Sequence, residues 1–211
     1  SRREGVSTAR AVAALQQLGS RHALIQDDVG RANHLAAAGY TVVFRSYWPA
    51  DGGDDNLHTK ATPLAWIDHM ESLGLAPGVL WYCGNEPTVD YERLVEFSLE
   101  AMQRARLLGR RLVVGNFSTG MPAEDDWQDT LLPLLDALQD GWHVLGLREY
   151  LVTSYEASVP WHVGRLAWAL KACRQQGYAP PRLMITEHGY DLAGSWQSMG
   201  LTADQFAAGG G

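Results

Sequence analysis

The stretch Trp81–Tyr91, WYCGNEPTVDY, decides how the chain is read. It leaves an apolar run, sets a carboxamide (Asn85) beside a carboxylate (Glu86), and passes through Pro87 into a helical pattern. That pattern carries Leu94, Phe97, Ala101, Ala105 and Leu108 on one face, the spacing of a helix packed on a sheet. The segment therefore reads as a buried strand, a polar strand end and a covering helix. Strand ends that open into loops are where α/β enzymes hold their working groups.

The same unit recurs on both sides. HALIQDD (22–28), TVVFRSYWP (41–49), RLVVGNFSTG (111–120), HVLGLREYLV (143–152) and RLMITEHGYD (182–191) read as further strands, which with GVLWYCGNEP (78–87) makes six. Helical patterns cover about 7–18, 31–38, 63–73, 127–138 and 161–176, and Pro133 breaks or kinks the fourth of these. The polar, glycine-rich loop PADGGDDNLHT is expected to be flexible and to form one wall of a cleft. Six runs apolar enough to be buried on both faces, separated by helices, predict an α/β fold with a parallel sheet. A nucleotide-binding doubly wound sheet would show GxGxxG or GxxxxGK[ST], and neither occurs. Polar residues instead end every strand, the pattern of the C-terminal mouth of a TIM (β/α)8 barrel.

Composition narrows the function. Apolar residues make up 46% and charged residues 19% of 211 residues, which suits one domain (1–211) with a substantial core and excludes disorder or a coiled coil. The net charge of −7, with no basic stretch to offset it, argues against nucleic acid as a partner. No apolar run is long enough to cross a bilayer, so no membrane partner is expected. Two cysteines, Cys83 and Cys173, are read as buried small hydrophobes. CxxC and HExxH are absent, and neither a metal nor an organic cofactor is expected.

Two carboxylates end strands next to small residues: Glu86 beside Gly84, and Glu187 beside Gly189. Two such groups flanking one glycosidic bond hydrolyse it, one protonating the leaving oxygen while the other attacks carbon or activates water. A separation of about 5–5.5 Å gives retention and one of roughly 6.5–9.5 Å inversion. Taken singly, Glu86 is equally readable as a helix-start acid, Arg45 as a structural partner of Asp27 or Glu187, and Asn116 as a residue bonding either sugar or backbone. Asp27 and Asp28 read as loop or cap residues. Trp48 and Trp196 follow strand ends and are the candidates for stacking on a sugar, whereas Trp66 and Trp168 sit in helical patterns as packing residues.

GNEP (84–87) and ITEHG (185–189) resemble the two signature strands of the large clan of (β/α)8 retaining glycoside hydrolases. In that clan an Asn-Glu pair ends barrel strand four and a Glu ends strand seven. Here the strand ending in Glu187 is the third after GNEP, as the resemblance requires. The resemblance implies Glu86 as acid/base, Glu187 as nucleophile, Asn85 as partner of the sugar 2-hydroxyl, Tyr150 as donor to the nucleophile and Arg45 as the arginine beside it. It covers strands two to seven; strands one and eight are not recognisable, so the open edges are expected to be covered by a second copy or a completing segment. The implied activity is retaining hydrolysis of β-linked sugars or polysaccharide, with a carbohydrate as partner. Its rival is a non-catalytic carbohydrate-binding or assembly protein on the same barrel. One position departs from the clan: Arg148 stands where many members have the histidine of His-x-Tyr. Period-two alternation sends Arg148 and Tyr150 to one side and Glu149 to the other.

Overall fold

The structure is a computed structural model and describes residues 8–48, 53–151 and 164–190. Six strands form one parallel sheet: β1 (His22–Gln26), β2 (Thr41–Arg45), β3 (Leu80–Tyr82), β4 (Leu112–Phe117), β5 (Val144–Leu151) and β6 (Leu183–Tyr190). Their spatial order is their chain order. A doubly wound sheet reverses direction at a switch point, whereas a barrel wall adds each strand beside the last. This sheet is a curled six-stranded piece of barrel wall. Among the described residues the outer edges of β1 and β6 have no strand partner.

Right-handed crossovers, repeated without reversal, put the helices on a single face. They are α1 (Thr8–Gln17), α2 (Val29–Ala37), α3 (Leu57–Lys60), α4 (Pro63–Ser72), α5 (Tyr91–Leu107), α6 (Glu124–Gln128), α7 (Leu132–Ala137) and α8 (Leu166–Gln176). Alternation along each strand divides the apolar residues. Val42, Phe44, Trp81, Leu112 and Val114 join the helices in the main core. Val43, Leu80, Tyr82 and Val113 face the other way and form a small inner cluster with Val144. Trp66 and Trp168 pack in the main core, and both cysteines are buried there.

Local chemistry explains the element ends. Asp28 caps α2 by accepting from the Arg31 amide, the cap role read from the sequence. Thr62 does the same for α4, with Pro63 in its first turn. Pro133 does not kink one long helix. It lies in the first turn of α7, so the segment breaks into α6 and α7. Asp90 caps α5, which begins at Tyr91. Glu86 is thus outside the helix and is not the helix-start acid that its neighbours suggested.

The loop expected to be flexible is built in, over its described part. Asp55 forms a parallel bridge to Asn85; the Asn85 amide donates to Asp54 O, and the Asn56 amide to Asn85 O. Leu57 is buried directly after this pairing. Gly84 makes room for it: at φ 74° a side chain would be strained, and a Cβ there would come within 3.2 Å of Leu57. The loop thereby extends β3 by a short rung of sheet and fixes the segment that carries Asn85 and Glu86.

Candidate active site

Strand ends β2, β3, β5 and β6 bring their polar side chains to one place. Glu86, just past β3, has a left-handed backbone with φ 41°. A non-glycine residue pays for that conformation, and such positions cluster at working sites. The segment is held from beneath by Asn116 at the bulged end of β4. Its amide nitrogen donates to Gly84 O at 3.1 Å and Val113 O at 3.0 Å.

Arg148, on β5, joins the two acids. Its Nη1 is 2.5 Å from Glu86 Oε1, and its Nη2 donates to Glu187 Oε1. Carboxylates from the ends of β3 and β6 therefore meet across one guanidinium, which spans only three atoms from tip to tip. Arg148 is 6% exposed. Burial works against its charge, but Tyr82, Glu187 and Glu86 outweigh that cost and hold the guanidinium above its ordinary value.

Glu187 receives two further donors. Tyr150 OH donates to Oε2 at 2.7 Å and Arg45 Nη1 to Oε1 at 3.3 Å. Burial, then the hydrogen bond to Glu187 and that group's charge, push the Tyr150 phenol up, so it stays protonated and able to donate. Arg148 and Tyr150 do share a side of β5, as alternation requires. Glu149 faces away and accepts from the Gly164 amide.

Arg45 is itself aimed. Asp54, 2% exposed, takes its Nε at 2.9 Å and its Nη2 at 2.8 Å, which leaves Nη1 for Glu187. Burial opposes the charge on Arg45, and the hydrogen bonds and charge of Asp54 outweigh it, so the guanidinium is held above its ordinary value. The partner of Arg45 is thus Asp54 as well as Glu187, and not Asp27, which accepts from the Tyr47 amide. Asn85, 3% exposed, accepts from Tyr82 OH at 3.0 Å and donates to Asp55. Asp54 and Asp55 were missed as site residues, because they lie in a polar loop whose sheet-like docking has no local signature. The one available signal was the need of a strand-borne arginine for an acid.

Three expected sugar contacts fare differently. Asn116 is fully buried with its amide nitrogen donating to two backbone carbonyls, so it supports the β3 end. Trp48 is half-buried and packs against the main core with its ring edge-on to His69 (5.8 Å, 84°). Trp196 lies outside the described residues. Among the described residues, no three His, Cys, Asp or Glu side chains gather as a metal site needs.

No family model matches the chain, and no curated protein matches it. Solved structures do. A β-mannanase from Streptomyces thermolilacinus, crystallised with mannohexaose, aligns over 87% of this chain and 64% of its own, at 17% identity and a TM-score of 0.53. The mannohexaose complex of a Thermomonospora fusca β-mannanase aligns over 86% and 65%, at 15% identity and a TM-score of 0.53. The shared property is the fold. The chain spans slightly less than two thirds of the length of either structure, and its six-stranded sheet is of the kind found in these barrel hydrolases.

Proposed function

We propose that the chain is the greater part of a (β/α)8 glycoside hydrolase domain that cleaves β-linked sugars with retention of configuration. Glu187 is the nucleophile. Glu86 serves the leaving group and then the water, Arg45 and Tyr150 hold Glu187, and Asn85 faces the sugar 2-hydroxyl after releasing Asp55. The single observation that carries this reading is the meeting of Glu86 and Glu187 on Arg148, because two carboxylates within one guanidinium's reach are placed to flank one glycosidic bond. The β-mannanase folds make mannans the first polysaccharides to try, beside glucans and xylans.

In the first step a Glu187 oxygen attacks the anomeric carbon, and the bond to the leaving oxygen breaks with its electron pair staying on that oxygen. In the second, water attacks that carbon, Glu86 takes the water proton, and the electron pair of the ester bond returns to Glu187. Proton NMR of the sugar first released from a 2,4-dinitrophenyl β-glycoside tests this. The β-anomer is expected first; the α-anomer first would mean inversion.

A second reading draws on the same guanidinium. Arg148 fills the space between the two acids and occupies both, which is what a sugar-binding barrel that had lost turnover would show. Oligosaccharide binding by calorimetry without any turnover of the dinitrophenyl glycosides would select it.

A further inference from the structure

Arg148 also bears on which substrates the site accepts; this step rests on the hydrolase reading above. Two groups donate to Glu86 Oε1 among the described residues: Arg148 Nη1 at 2.5 Å and Ser118 Oγ at 3.4 Å. The guanidinium keeps its charge, since Glu187 on its other arm and Tyr82 beside it hold that charge in place. To act as an acid, Glu86 must carry a neutral carboxyl beside a charged guanidinium that is 6% exposed. To act as a base toward water it need only share an oxygen. The two duties of this residue are therefore unequally supported.

We infer that Arg148 keeps Glu86 engaged as an acceptor, so that the site takes β-glycosides whose leaving group departs as an anion, the glycosides of phenols and the glycosyl esters of carboxylic acids. In the first step the Glu187 oxygen bonds to the anomeric carbon and the carbon–oxygen bond to the aglycone breaks. Its electron pair stays on the departing phenolate or carboxylate, and no proton from Glu86 is needed. In the second step Glu86 takes the proton of the attacking water, the sugar leaves Glu187, and the proton passes from Glu86 to solvent. Sugar–sugar bonds, whose alkoxide leaves poorly without a proton, are the slow substrates.

The test is the dependence of kcat/KM on the acidity of the leaving phenol, from 2,4-dinitrophenyl to unsubstituted phenyl β-glycosides. Proton donation is worth roughly 100- to 10,000-fold in an enzyme that uses it. A fall of that order is expected across the series in the unaltered protein, and Arg148→Gln is expected to flatten it by relieving Glu86. A shallow dependence in the unaltered protein overturns the inference and leaves the hydrolase reading standing. An equally steep dependence in a folded Arg148→Gln protein removes Arg148 as the cause. Absence of turnover even with the dinitrophenyl glycoside removes the hydrolase reading itself. If Arg148→Gln fails to fold, the series in the unaltered protein still decides the substrate class.

Discussion

Replacing Asp54 by asparagine isolates the loop that sequence periodicity did not reveal. The side chain is 2% exposed and closes two hydrogen bonds on Arg45, at 2.8 and 2.9 Å. Breaking a buried ion pair by altering one partner costs about 3–5 kcal/mol, because the other charge is left without compensation. Asparagine keeps one acceptor oxygen, and a hydrogen bond to a charged group returns about 1.5 kcal/mol of that. The other position becomes an NH2 facing a guanidinium that also donates. A net loss of about 1.5–3.5 kcal/mol follows, which for a chain of this length lowers Tm by about 3–14 °C. Urea unfolding and calorimetry measure both quantities. With its second arm loose, Arg45 no longer points at Glu187, and kcat is expected to fall about tenfold or more, as misplaced catalytic groups do. A stability change below about 0.5 kcal/mol, the range of ordinary surface substitutions, would refute the claim that Asp54 anchors Arg45.

Three further outcomes are expected. His143 Nδ1 accepts from the Leu112 amide, and burial, assisted by the charge of Arg106, pushes its pKa down to about 4. Its folded value thus lies below the ordinary 6.5, so its stabilising contribution is complete above about pH 6.5 and is lost as pH falls toward 4, amounting to roughly 3 kcal/mol; urea unfolding between pH 4 and 7 should show that slope, and His143→Leu should remove it. Gly146→Ala places a methyl against the Asn116 carboxamide and 2.8 Å from Val113 Cγ1, at a cost of about 1–3 kcal/mol in denaturant unfolding and with loss of activity as the Gly84 support shifts. Tyr150→Phe removes the 2.7 Å bond to Glu187 and is expected to lower kcat with dinitrophenyl glycosides more than it raises KM, while thermal unfolding changes little.

Much of this architecture is legible in the chain because parallel strands buried on both faces write themselves as continuous apolar runs. All six appear where GVLWYC, TVVF, RLVV and their like stand, and Arg148 and Tyr150 fall on one side of β5 through simple alternation. What periodicity does not encode is the docking of irregular backbone. Residues 53–57 read as polar and glycine-rich, yet they pair with Asn85 and deliver Asp54 to Arg45 through contacts that only the tertiary fold creates. Asn116 is a related case. A polar residue at a strand end reads as bonding either sugar or backbone, and the bulged end of β4 has this one donating to carbonyls of β4 and of the segment after β3. Arg148 was visible as a departure from the clan's histidine, while its position astride both acids was not, because alternation gives a side and not a reach.

The account rests on Glu187 forming a bond to sugar. Incubating the protein with a 2,4-dinitrophenyl 2-deoxy-2-fluoro-β-glycoside and mapping the product by peptide mass spectrometry tests this directly. The account predicts one fluorosugar ester, on the peptide containing Ile185–Gly189 and localised to Glu187, with a matching burst of dinitrophenolate. Turnover of the parent glycoside with no adduct, or with the adduct on another carboxylate, would contradict it.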